Sequence, residues 1–181
     1  NTAGSNPARP TINSIRKEGK DVISPTYGRV SIEEAAEIIR RKVEGTPGEY
    51  NVMVGTDSQT SDSTKTVVVI ALHHVGHGGL FFYDVMYVRR IENIGQKLLY
   101  ETQLSLECAR KLIDAFEALK ETDGFDYEKM LNFCIHVDAG LNGPSKKVIP
   151  EIVGWITACG YKVIIKPESF AASTIANRIS K

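Results

Sequence analysis

Between Tyr50 and Arg90 three β-rich segments follow one another with only short turns between them, and this meander restricts the folds open to the chain. The segments are YNVMVGTDS, KTVVVIALHHV and GLFFYDVMYVRR, separated by a polar SQTSDST turn and a GHGG turn. Val, Ile, Phe and Tyr suit a pleated, half-buried surface, and turns this short join antiparallel neighbours. Ahead of them, Ser31 and Glu34 form a capping box, and Ile32, Ala35, Ala36, Ile39 and Val43 recur at helical spacing. The spacing predicts a helix over 31–44, stopped by GTPG at 45–48.

After the meander the pattern alternates. A helix is predicted from Gln96 to Lys120, with Leu98, Glu101, Cys108, Leu112 and Leu119 on one stripe. The strand LNFCIHVDAG, a helix from Lys146 to Cys159, the strand YKVIIKP and a last helix from Ser169 or Phe170 complete the order. Parallel strands need crossover connections, so helix and strand units after a meander predict an α/β fold whose mixed sheet carries helices on its faces. With 181 residues, one core is expected over 29–181, preceded by a flexible arm over 1–28 that lacks apolar periodicity.

Lys plus Arg and Asp plus Glu balance at 22 each, so no global positive field advertises a polyanionic partner. No apolar run approaches the roughly 20 residues of a membrane helix, and the opening NTAGSNPARPTINSIRKEGK lacks the apolar block of a signal peptide, so a cytoplasmic protein without membrane contact is expected. Cys108, Cys134 and Cys159 are odd in number and far apart, which fits buried free thiols better than disulfides or zinc. Trp155, Tyr161 and the β-rich run Phe81, Phe82 and Tyr83 read as packing groups, the solvent-side member of that run being free to extend an interface.

Three acids stand out. Asp57 and Asp138 each end an apolar strand, and ligands of such sheets collect beyond strand carboxyl ends. Glu101 interrupts the apolar stripe of the long helix, where a charge needs a partner. Each has an ordinary alternative, as turn cap, loop brace or first-turn helix acid. Together they would repel unless a cation or a proton sat between them, a metal is the economical explanation, and hard carboxylate oxygens suit Mg²⁺ or Mn²⁺. The histidines His73, His74, His77 and His136 show no convergence that zinc would need, although His136 lies two residues before Asp138 and could move a proton. Lys166, at the end of the last strand, could neutralise a phosphate.

The element order, with acids on the first strand, the long helix and the fourth strand, resembles the ribonuclease H-like superfamily over about residues 50–181. The strings VGTDSQ, IHVDAGLNGPSKKVIPEIVGW and IIKPESFAAS resemble the YkuK-type ribonuclease H-like family of bacterial proteins more closely. The resemblance implies a five-stranded sheet whose second strand is antiparallel, and a carboxylate site of Asp57, Glu101 and Asp138. It further implies a fourth ligand from the last helix, where this chain has Asn177 on the face of Ser173, with Glu168 just before the helix as a substitute metal ligand. The function so implied is metal-dependent hydrolysis of phosphodiesters in RNA, an RNA and DNA hybrid, or DNA, with Ser58, Gln59 and Lys166 touching the substrate. The rival is a catalytically weak nucleic-acid-binding or interaction module on the same fold.

Overall fold

A computed structural model describes residues 21–169 together with Ile175 and Ile179. Its element order is β1 Val22–Ser24, β2 Gly28–Val30, α1 Ile32–Gly45, β3 Tyr50–Thr60, β4 Ser63–His74, β5 Gly78–Arg89, α2 Ile94–Asp123, α3 Tyr127–Met130, β6 Asn132–Val137, a 3-10 turn Pro144–Lys147, α4 Ile149–Ala158 and β7 Lys162–Ile165. The strands form one mixed sheet in the order β2-β1-β5-β4-β3-β6-β7. β3, β4 and β5 are the expected antiparallel meander, and β6 and β7 add to β3 in parallel.

The sheet therefore has seven strands where five were expected. The additional pair is the hairpin of β1 and β2, which docks on β5 through Ile23 opposite Tyr83. Three-residue strands are too short to show an alternation in sequence, yet Val22 is buried in the main core. Residues 22–24 and 28 thus belong to the sheet and not to an arm; residues 1–20 lie outside the described residues, as does most of the predicted last helix.

The larger core lies on one face. Even-numbered side chains of β3 and β4, such as Val52, Val54, Ile70 and Leu72, meet Ile39 of α1, Leu112 and Phe116 of α2, and Ile152 and Ile156 of α4. On the other face Met53, Val67, Val69 and Ala71 pack with Phe81, Tyr83, Ile175 and Ile179. Burial on both faces explains why β4 reads as a continuous apolar run. No helix among the described residues is long and apolar enough to cross a membrane.

The capping box is present: the Ser31 hydroxyl accepts from the Glu34 amide at 3.1 Å and Glu34 accepts from the Ser31 amide at 2.7 Å. Ser31→Ala is expected to cost about 1 kcal/mol, read as a lower urea midpoint with an unchanged slope. Cysteine burial departs from expectation in one place: Cys108 and Cys134 are half-buried thiols outside any disulfide, but Cys159 is exposed at the end of α4. Trp155, one face of α4 away from Ile152 and Ile156, is likewise 37% exposed and not a core residue.

Candidate functional site

The long helix α2 carries the centre of the site. The Asn93 side chain accepts from the Gln96 amide and starts the helix, two residues before the predicted boundary. Lys97, Glu101 and Ser105 then follow at steps of four, stacking along one stripe of the helix. That stripe meets β3: Ser105 and Thr56 share a hydrogen bond of 2.7 Å, and the Ser58 hydroxyl donates to the Glu101 carboxylate. Glu101 is only 6% exposed. Burial raises its pKa to about 8, with Asp57 and Asp138 adding repulsion, while the Ser58 hydrogen bond and Lys97 oppose the rise.

Asp57 lies three residues inside β3, not at its end, because β3 runs on to Thr60 and the turn is only Ser61 and Asp62. Since Thr56 and Ser58 point toward α2, strand alternation directs Asp57 to the opposite face. β6 pairs with β3 in parallel as far as Thr56 and Val137, so the next residue, Asp138, comes alongside Asp57 as its strand ends. The Asp57 pKa is raised, first by burial and then by the charge of Asp138, against the opposing influence of Lys97 and Lys166. The three predicted acids therefore act on one another electrostatically, and Asp138, at the end of its strand, both neighbours Asp57 and borders the small crevice that Glu101 lines.

Their remaining partners hold them short of a shared centre. Lys166 Nζ lies 2.9 Å from Asp138 Oδ1 in a pair whose lysine is half exposed. Its position is set by the backbone: the Lys166 amide donates to the Ala139 carbonyl at 3.0 Å, and a side chain at Gly140 would press on the Lys166 Cβ at 3.3 Å. Ser169 Oγ donates to the Val137 carbonyl at 2.8 Å and fastens the same turn to β6. Among the described residues, no group of three or more His, Cys, Asp or Glu is arranged to hold a metal ion. Lys166 thus occupies an oxygen of Asp138, where the sequence suggested a lysine directed at phosphate.

The other predicted residues separate. Ser58 is buried with its hydroxyl donating to Glu101, whereas Gln59 is exposed. Glu168 is exposed in the turn after β7. Asn177 and Ser173 lie outside the described residues. His136 is buried at 7% exposure in a small crevice with Glu101, Thr102, Ser105 and Asp138; burial lowers its pKa, and its Nδ1 has no partner. Among the remaining histidines, His73 is exposed and the rings of His74 and His77 stack at 4.2 Å.

A family model described as ribonuclease H-like matches residues 33–181. The chain belongs to the ribonuclease H-like family. A relative, the Bacillus subtilis (strain 168) protein named Uncharacterized protein YkuK, is 32% identical over 164 residues, covering 84% of this chain and 92% of the relative. No solved structure gives a significant match. In this ribonuclease H-like domain the residue that sequence reasoning missed is Lys97. A signal was available, since Lys97 precedes Glu101 by one helical turn and so shares its face.

Proposed function

We propose that this protein is a metal-dependent nuclease that hydrolyses phosphodiester bonds of nucleic acid. The observation carrying the reading is the burial of Glu101 and Asp57 near Asp138, which, with the repulsion among the three acids added to it, raises the pKa of Asp57 and Glu101. Carboxylates crowded in this way are relieved by a proton or by a cation, and an all-oxygen donor set of this kind fits Mg²⁺ or Mn²⁺. Asp57, Asp138 and Glu101 would hold the ion, with Glu168 the further acid available on the turn that carries Lys166. A bound divalent ion would supply Lewis acidity toward the phosphodiester.

The chain's own groups supply the rest. Ser58 fixes the Glu101 carboxylate toward β3. Lys97 and Lys166 bring positive charge to bear on Asp57 and suit the non-bridging oxygens of a phosphate. On this reading Lys166, paired with Asp138 in the absence of a metal, would be the cation available to a substrate phosphate if that carboxylate held a divalent ion. His136, kept neutral by burial, is placed beside Asp138 to accept a proton.

One observation favours the rival module: Lys166 and Ser58 already satisfy an oxygen of Asp138 and of Glu101. Mn²⁺ titration of the full chain, with cleavage followed on single-stranded, duplex and hybrid substrates, separates the two readings. Saturable binding with cleavage is expected. Binding without cleavage at any metal concentration would leave the module.

A further inference from the structure

Near its end β5 carries an aromatic side chain that packing does not account for. Tyr87 is 68% exposed, more than the other exposed large hydrophobic residues described. Earlier on the same face of the strand, Phe81 and Tyr83 pack against each other at 6.2 Å and against Val67 and Val69. Tyr87 lies beyond that cluster.

The strand register shows what surrounds it. Tyr87 pairs with Lys65, and Lys65 pairs with Gln59, so the three form one row across β5, β4 and β3. The row two residues back is Val85, Val67 and Asp57. Side chains two apart on a strand share a face, so Tyr87 and Gln59 stand on the face that carries Asp57, away from α2. Arg89, exposed and opposite Ser63, continues that face beyond Tyr87. Lys65 donates to the Ile179 carbonyl at 2.9 Å, which braces the middle of the row. Two strand spacings and two residue rises put Tyr87 roughly 12 Å from Asp57.

We propose that Gln59, Tyr87 and Arg89 form a platform for single-stranded nucleic acid, an unpaired base stacking on Tyr87 and a phosphate meeting Arg89, so that the strand is led toward Asp57 and Asp138. The platform deepens the nuclease reading and rests on it for its direction of approach. An aromatic ring on a rigid sheet offers a stacking face to any unpaired base, and a nearby guanidinium complements the backbone charge. Bases inside a duplex already stack on their neighbours and cannot use the ring, so the platform selects single strands. Asp84, the acid on the same strand, falls on the opposite face by alternation and does not oppose the phosphate.

The test is fluorescence anisotropy of labelled single-stranded RNA, single-stranded DNA and a blunt duplex with the full chain, in EDTA so that nothing is cut. Tyr87→Ala is expected to weaken single-strand binding roughly tenfold or more, Tyr87→Phe to bind like wild type, and duplex binding to stay unchanged. Arg89→Ala is expected to reduce the salt slope by about one. Single-strand binding that is absent, or equal in wild type and Tyr87→Ala, overturns the platform, as does tighter binding of duplex. Cleavage in Mn²⁺ is scored separately. Tyr87-dependent binding without cleavage keeps the platform and removes the nuclease; cleavage with Tyr87-independent binding does the reverse.

Discussion

The Asp57→Asn, Asp138→Asn double variant is expected to lose Mn²⁺ binding and to cleave at least about a thousandfold more slowly than wild type, while its metal-free fold stays as stable or becomes more so. The first half follows from charge. A divalent ion held by hard oxygens contributes several kcal/mol of charge stabilisation, and each 1.36 kcal/mol is a factor of ten in rate. Neutral amides keep the shape of both side chains and remove the anions that attract the ion. The second half follows from the same geometry. Without metal, Asp57 is partly desolvated beside Asp138, so deleting both charges relieves a repulsion. The lost partner of Lys166 costs little, because the lysine of that pair is 54% exposed and solvent-screened ion pairs contribute at most about 1 kcal/mol. Isothermal titration with Mn²⁺, cleavage assays and thermal melts in EDTA check the three parts together. Full activity in the double variant would sink the carboxylate site; loss of activity with unchanged metal binding would move the metal elsewhere.

How much of this was legible in the residues depends on range. The meander and the capped first helix are local: alternation, capping chemistry and turn residues act within a few positions, and α1, β3, β4 and β5 stand where that chemistry puts them. The β1 and β2 hairpin was invisible because its stability comes from β5 and the core around Val22, which no three-residue window contains. α3 escaped for the same reason, its four residues being held by Tyr127 stacking on Phe116 at 5.4 Å.

The candidate site shows the same division. Glu101 was readable as a charge on an apolar stripe, and its burial agrees. That the Ser58 hydroxyl donates to Glu101 depends on which face of β3 meets α2, and sequence periodicity alone gives two faces without saying which is which. The Lys166 pair with Asp138 depends on a turn fastened to β6 by Ser169, a contact across 32 positions. Nothing local sets Tyr87 apart from Phe81 and Tyr83 on the same strand, and only the register shows that β5 outruns the packing that covers those two.

Glu101 also makes the stability of the metal-free protein depend on pH in a direction opposite to that of an ion-paired acid. Its pKa rises from an ordinary 4.5 to about 8 in the fold. Below about 4.5 both states hold the proton and nothing is lost. Above that, the unfolded chain releases it and the folded chain keeps it, so stability falls by about 1.4 kcal/mol per pH unit until the folded carboxyl ionises near pH 8. The raised pKa of Asp57 adds a contribution of the same sign. Urea unfolding in EDTA is therefore expected to show a midpoint that declines from pH 5 to pH 8, with a total effect on the order of a few kcal/mol. Glu101→Gln keeps an oxygen for the Ser58 hydroxyl, cannot ionise, and is expected to flatten most of that decline and to be the more stable protein at pH 8. With Mn²⁺ the trend should turn over in wild type alone, because the ion binds the ionised carboxylate and stabilises the folded state by mass action, increasingly so as pH rises. A variant that tracks the wild-type decline in EDTA would show that Glu101 ionises freely in the fold, and the charge crowding that motivates a metal at this site would be gone with it.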